Sequence, residues 1–352
     1  MKIAVALSGG KDSSLAAALL RRNGHPVIGY HLLLSPDRYG PLPLEEQTAA
    51  VRVLGERLGI ETRFIDARDD FRRMVMEEFA RSYAAGETPN PCVICNRFFK
   101  FGLLFEAALA DGCERVATGH YARAVPGKPP VLKQPLPPLR DETYFLFAIR
   151  AECLGRLLFP LGEIDPGEAQ RRAAELLPGF TPLATSREAC FLSRSGLKRF
   201  LSEELPPRDA EGEIVDRRGK VLGEHPGTEF YTVGQRKGLS SASGKQGPLY
   251  VLRIIPETNR IVVGEKGDLL ARRIRAGRPN WVSIPPPEAP FTARVKIRYT
   301  HPGAEARITP RRDGELEIEF ADPQEAPTPG QAAVFYREDT LLGGAWIRGH
   351  NT

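Results

Sequence analysis

Ile3-Ala4-Val5-Ala6-Leu7-Ser8-Gly9-Gly10-Lys11-Asp12-Ser13 is the stretch that decides how the first half of this chain is read. Its five apolar residues suit a strand covered on both faces, as in a parallel sheet. The two glycines permit a tight turn and let backbone N–H groups approach an anion. A helix is expected over residues 13–22, with Gly24 as its C-terminal stop and its positive end aimed at the same point. Strand, glycine turn and helix in that order make a cradle for nucleotide phosphates. The plainer alternative is an ordinary strand-to-helix turn in which Asp12 only caps the helix.

The turn is shorter than the G-x-x-x-x-G-K-[ST] loop that normally passes on a γ-phosphate. Ser8-Gly9-Gly10-Lys11-Asp12-Ser13 resembles instead the PP-loop of the ATP pyrophosphatase superfamily. That resemblance implies ATP as substrate, adenylation of an acceptor oxygen and release of pyrophosphate.

Outward from the cradle, strands and helices alternate. Residues 27–34 and 62–66 read as strands, and 44–58 and 71–85 as helices. Residues 96–111 have an apolar helical face of Phe98, Phe101, Leu104, Phe105 and Ala108, and the strand 115–118 follows. This order predicts an α/β fold with a doubly wound parallel sheet and ligands at the carboxyl ends of its strands. Residues 124–139 are proline-rich and read as a hairpin or loop over the site. Helical patterns return at 166–177 and 195–205. Short strands split by glycines then suggest a small, mostly-β central domain, and beyond residue 270 the chain reads as β only. Evenly spaced short strands there predict a C-terminal β-barrel. The expected domains are 1–198, 199–268 and 269–352.

A chain of 352 residues is too long for one ordinary domain. Its composition, 41% hydrophobic and 26% charged, is that of a globular protein. The net charge of +5 suits an anionic partner. No run of about 18 apolar residues offers a membrane span, and Met1-Lys2 leads into a strand without a signal-peptide pattern. Five cysteines, an odd number, argue for reduced thiols. A cytoplasmic location is expected.

Three of those cysteines stand in polar motifs. Thr88-Pro89-Asn90-Pro91-Cys92-Val93-Ile94-Cys95-Asn96 leads into an amphipathic helix, whose dipole is expected to lower a thiol pKa. Cys190 lies far off, in Arg187-Glu188-Ala189-Cys190-Phe191. Cys113 and Cys153 read as small buried hydrophobes. The C-x-x-C pair alone leaves several chemistries open. It could be half of a zinc site, although no second pair is present, or a redox pair outside its usual βαβ setting. With Cys190 it could ligate an iron–sulfur cluster. Cys95 and Cys190 could instead exchange sulfur as nucleophile and persulfide carrier.

Taken together, the PP-loop, the T-P-N-P-x-x-x-C-N string and the distant Cys190-Phe191 resemble the tRNA-specific 2-thiouridylases, which put sulfur on C2 of the wobble uridine. Further matching strings are Ala117-Thr118-Gly119-His120-Tyr121-Ala122-Arg123, Arg140-Asp141-Glu142-Thr143-Tyr144-Phe145-Leu146, Gly223-Glu224-His225-Pro226-Gly227, Tyr231-Thr232-Val233-Gly234-Gln235-Arg236-Lys237-Gly238-Leu239 and Pro329-Gly330-Gln331. The resemblance implies that Ala6, Leu7, Ser8, Gly9, Gly10, Lys11, Asp12, Ser13, Leu32 and Gly119 hold ATP, with Mg²⁺ and Asp12 assisting. It implies Cys95 as nucleophile and Cys190 as persulfide carrier, fed by a sulfur-donor protein such as a cysteine desulfurase or a relay. Asn90, Pro91 and Cys92 would meet the target base, and Arg140, Asp141, Glu142, Arg298 and Tyr299 would touch tRNA. No catalysis is expected of His120 or His225. The turn Gly234-Gln235-Arg236-Lys237-Gly238 could grip the RNA backbone or be a plain solvated hairpin.

The chain departs from the family where it has Cys92 for the usual Asp, Lys11 for Val, and Arg140-Asp141-Glu142 for Lys-Asp-Gln. With three site cysteines it also looks like PP-loop tRNA thiolases that hold an iron–sulfur cluster, with Cys92, Cys95 and Cys190 as ligands. The rival readings are a different PP-loop enzyme, such as an amide-forming ligase, and a tRNA- or cluster-binding protein without turnover.

Overall fold

A computed structural model describes residues 1–36, 38–40, 42–183, 189–192, 195–206, 211–239 and 248–349. Arg187 and Glu188 lie outside these described residues. The first layer is a parallel sheet. Its strands are β1 (Ile3–Ala6), β2 (Val27–Leu33), β3 (Glu61–Asp66) and β4 (Arg115–Ala117). After β5 (Arg123–Val125) and β6 (Val131–Lys133), the two-residue β7 (Leu157–Leu158) completes it, in the order β3-β2-β1-β4-β7. The winding reverses between β1 and β4, and such a switch point opens a crevice at the carboxyl ends of the strands. Ile3, Ala4 and Val5 are fully buried, as a strand covered on both faces requires. Helix α1 (Lys11–Arg22) leaves the cradle, and α2 (Leu44–Leu58) ends at Gly59 in a left-handed C-cap with φ 60°.

The helix bearing the T-P-N-P motif is not a uniform α-helix. Pro91–Cys95 is α-helical, Asn96–Leu103 is wound as a π-helix, and Leu104–Ala110 returns to α. The wider turn shifts the inward phase. Phe98, assigned above to the apolar face, is 42% exposed, and Phe99 is buried in its place. Arg97 lies over the Phe98 ring, 5.4 Å from its centroid.

The helix Gly196–Glu204 packs Phe200 and Leu201 into one cluster with Phe71, Phe79, Cys95 and Phe99. The central sheet contains β8 (Gly212–Val215), β9 (Val221–His225), β10 (Tyr250–Ile255) and β11 (Arg260–Gly264), ordered β10-β11-β8-β9. His225 is buried there beside the Tyr231 ring, in the domain's core and away from the cradle.

The C-terminal strands are β12 (Leu270–Trp281), β13 (Phe291–Lys296), β14 (Ala304–Pro310), β15 (Leu316–Glu325), β16 (Ala332–Arg337) and β17 (Thr340–Gly349). All neighbours are antiparallel, and pairing of β12 with β17 closes a six-stranded barrel. The expected hairpin at 124–139 exists as β5–β6. It does not cover the site, because β6 adds to β17 and extends the barrel sheet. Asp339 fixes that junction through ion pairs with Arg123 at 2.7 Å and Lys133 at 2.9 Å. The two outer domains also share a core, in which Tyr30, Phe101, Tyr144 and Phe147 pack with Val282, Val334, Tyr336 and Leu341.

Candidate active site

The cradle is held by its own serines. Ser8 and Ser13 hydroxyls lie 2.9 Å apart, and Ser13 and Ser14 hydroxyls both donate to the Gly10 carbonyl, at 3.0 and 2.8 Å. Gly9 has φ +74°, and a Cβ there would come within 2.3 Å of Leu183. Gly119, just after β4, lies so close that a Cβ would meet the Asp12 carbonyl carbon and the Ser13 nitrogen at 2.6 Å. Backbone from β1 and β4 thus meets at the switch point.

Over it opens a cavity of about 340 Å³ whose walls include Ala6, Leu7, Ser8, Gly10, Asp12, Ser13, Leu32 and Gly119. Gly9 and Lys11 belong to the same turn but not to the wall. Cys190, Glu142, Lys100 and His120 also line this cavity. The distant cysteine and the phosphate cradle therefore face one space.

The three motif cysteines are neighbours. Cys95 packs in one cluster with Ala189 and Phe191, which flank Cys190. Cys95 lies close enough to feel the charge of Cys190 and Cys92, and Cys190 that of Cys92. Their ionisation runs against the expectation from the helix dipole. Burial pushes Cys95 up to about 12, with Lys100 opposing it. Cys92 and Cys190 touch solvent, yet the protein crowded around them still raises both, Cys190 to about 11. Desolvation is the leading effect at all three, and Cys95 lies against an aromatic core. Cys113 and Cys153 are buried at 3% and 1% exposure.

Lys100 is a site residue that the sequence did not announce. Its ammonium lies 3.4 Å from His120 Nε2, and His120 Nδ1 lies 2.8 Å from the Thr118 hydroxyl. Burial and then Lys100 hold His120 well below its ordinary pKa, so the ring is neutral. A Lys100 N–H donated to Nε2 leaves the proton on Nδ1, facing Thr118.

The Arg140-Asp141-Glu142 triplet divides. Arg140 pairs with Asp12 at 3.0 Å and lies over the Tyr121 ring, 4.8 Å from its centroid. Glu142 accepts the Tyr121 N–H at 2.9 Å, and burial raises its carboxyl pKa. Asp141, expected at the RNA, is enclosed by protein groups. It is 8% exposed and is taken up by Gln134 at 2.6 Å, the Thr143 N–H at 3.0 Å and Lys296 at 3.3 Å. A carboxylate so enclosed is a structural anchor, since losing either charge would strand the other. Tyr299 is half-exposed and stacks on Phe145 at 4.7 Å, while Arg298 donates to the Glu325 carbonyl. Arg236 and Lys237 are exposed on their turn.

Three soft thiolates are what an iron–sulfur cluster needs. Among the described residues, however, no group of three or more Cys, His, Asp and Glu side chains is placed to share a metal ion. No helix among the described residues is long and apolar enough to cross a membrane.

Three family models match in succession: the tRNA methyl transferase HUP domain over 1–194, the tRNA methyl transferase PRC-barrel domain over 198–265 and the aminomethyltransferase beta-barrel domain over 271–347. The chain is similar to the tRNA-specific 2-thiouridylase MnmA of Magnetococcus marinus, 40% identical over 98% of each chain. That of Heliobacterium modesticaldum is 42% identical over 98% of this chain and 92% of the relative. Among solved structures, the U34-tRNA thiolase NcsA of Methanococcus maripaludis with its 4Fe-4S cluster overlaps 58% of this chain and 63% of its own, at 19% identity and a TM-score of 0.35. That overlap is too loose to bear on a cluster here.

Proposed function

Because the chain belongs to the tRNA-specific 2-thiouridylase family, we propose that it uses ATP to replace the C2 oxygen of the wobble uridine of tRNA with sulfur, through Cys190 and Cys95. The observation that carries this reading is the single cavity lined by Ser8, Gly10, Asp12, Ser13 and Cys190. Nothing in amide-bond formation needs thiols beside the nucleotide.

ATP phosphates lie against the Ser8–Ser13 turn and the start of α1, where N–H groups and the helix dipole favour anions. Asp12 is the carboxylate for the magnesium that accompanies ATP, an ion that commonly takes one or two carboxylates together with phosphates. The target base leaves its stack, at a cost of about a few kcal/mol or less in a loop, and meets Asn90, Pro91 and Cys92. Uracil O2 attacks the α-phosphorus and the bond to pyrophosphate breaks, so O2 becomes part of an AMP ester. A persulfide on Cys190, loaded by a donor protein such as a cysteine desulfurase or a relay, attacks C2 through its terminal sulfur, and AMP leaves. Cys95 thiolate then attacks the Cys190 sulfur. The S–S link to the base breaks, 2-thiouridine leaves, and a Cys95–Cys190 disulfide remains for an external thiol to reduce.

Lys100 faces the same cavity and lowers the cost of negative charge on these sulfurs. Arg140 and Glu142 sit nearer the nucleotide, and Arg298 and Tyr299 line the approach of the RNA.

The test is thiolation of an anticodon stem-loop RNA with ATP and a persulfide donor, using Cys92→Ser, Cys95→Ser and Cys190→Ser variants. Loss of 2-thiouridine in the Cys95 and Cys190 variants is expected, with ATP binding retained. Undiminished turnover in all three would remove the thiolase reading.

A further inference from the structure

Beside the phosphate cradle, the ladder between β1 and β2 stops short. Their parallel register runs from Ile3 opposite Val27 to Ala6 opposite Tyr30, and the Leu7 N–H donates to the Tyr30 carbonyl at 2.7 Å. Backbone groups of a strand face the same side at every second residue. The Leu32 N–H and carbonyl therefore face the β1 side, as those of Tyr30 do. β2 runs on beside β3, with Leu32 opposite Ile65 and Leu33 opposite Asp66. The chain beyond β1 instead bends into the cradle at Gly9, whose φ is +74°.

One more rung, from the Leu32 N–H to the Leu7 carbonyl, would carry the register on to Leu7 and His31. The register ends before it. A side chain takes that carbonyl: His31 Nδ1 lies 2.7 Å from the Leu7 oxygen. A carbonyl can only accept, so the imidazole proton between them sits on Nδ1. His31 is 5% exposed, and its ring makes an edge contact with Phe64 of β3, the centroids 5.9 Å apart. Leu7, His31 and Leu32 all line the cavity over the Ser8–Ser13 turn. A backbone N–H kept from its rung there is a donor for a ligand, and with the adjoining carbonyl it matches one kind of base edge. Adenine presents a ring acceptor beside an amino donor, whereas guanine presents a ring donor beside a carbonyl.

We propose that His31 is a positioning residue for the nucleotide: by taking the Leu7 carbonyl it ends the β1–β2 ladder one rung early, which leaves the Leu32 backbone to read the adenine edge of ATP. The proposal deepens the ATP reading of this cavity and rests on it. Without the Nδ1 donor, the Leu32 N–H closes onto Leu7 and adenine loses its ring-nitrogen contact. Phenylalanine fills the space of the imidazole without that donor. Asparagine carries a donor nitrogen at the same remove from the backbone.

The experiment titrates wild type, His31→Phe and His31→Asn by calorimetry with ATP, GTP and 1-deaza-ATP, which lacks the ring acceptor, each with Mg²⁺. Melting temperatures are measured alongside. Wild type should bind 1-deaza-ATP about tenfold more weakly than ATP, the worth of one hydrogen bond. His31→Phe should bind ATP about tenfold more weakly than wild type does and lose nothing further with 1-deaza-ATP, since the contact is already gone. Its preference for ATP over GTP should narrow. His31→Asn should keep ATP affinity within about threefold of wild type, because the donor is restored. A merely structural role for His31 would weaken ATP and 1-deaza-ATP alike in His31→Phe, and that result overturns the proposal. So does a wild type that binds ATP and 1-deaza-ATP equally, a readout that stands even where His31→Phe fails to fold. A wild type without affinity for any of the three removes the ATP reading of the cavity itself, and this inference with it.

Discussion

At Cys95 two effects oppose each other, and burial prevails over the charge of Lys100. A thiol pKa raised above its ordinary value keeps the sulfur protonated at neutral pH, and the thiolate fraction climbs only as pH approaches the raised value. Alkylation of Cys95 and Cys190 in the free protein should therefore keep rising about tenfold per pH unit from 7 to 10. Site-resolved iodoacetamide labelling read by mass spectrometry checks this, and a plateau near pH 8 would contradict it. Lys100→Met should slow labelling further, since the lysine charge opposes the rise at all three thiols. The cysteines were legible in the sequence because thiols in polar motifs are rare. Lys100 was not. Its importance comes from His120 and from the cavity it lines with Cys190, neighbours that only folding brings near.

At the scale of elements, the cradle was readable because strand, double glycine and helix are a local signal. What the local pattern could not carry was phase and distance. Apolar spacing assumed 3.6 residues per turn, so it chose Phe98, whereas the π-wound segment turns Phe99 inward. The strand β12, Leu270–Trp281, was hidden because its exposed positions carry several arginines and its course includes Gly277 and Pro279. Gly119 belongs to this scale as well, since it sets how closely the end of β4 approaches α1. A Cβ at Gly119 meets backbone atoms of Asp12 and Ser13 at 2.6 Å, with no flexible side chain to give way. Gly119→Ala should weaken ATP binding by about tenfold or more, a cost of roughly 1–3 kcal/mol expected for overpacking. Calorimetric titration with ATP measures it, and an unchanged affinity would mean that the cradle shifts freely.

Across the whole molecule, the three-domain texture was visible in the alternation of elements, but not how the domains are fastened. The hairpin β5–β6 was expected over the site and instead extends the barrel, because register with Thr340 and Leu341 is a long-range property. The barrel is locked further where Gly344 meets Phe147. A Cβ at Gly344 would lie 2.7 Å from the ring and 2.9 Å from the Ala333 carbonyl. Gly344→Ala should destabilise the molecule by about 1–3 kcal/mol in urea unfolding, and no change would show that this interface has slack. RNA binding is also a property of the whole surface. With a net charge of +5, affinity for the stem-loop should fall steeply as salt rises, whereas a salt-independent Kd would count against a basic RNA-binding face.

The central claim is that Cys190 delivers sulfur and Cys95 resolves the linkage within one cavity. A single turnover of persulfide-loaded enzyme with ATP and RNA, quenched by alkylation without reductant, tests it most directly. Mass spectrometry should find one Cys95–Cys190 disulfide for each 2-thiouridine formed. Thiouridine appearing while both cysteines remain free thiols would contradict the relay.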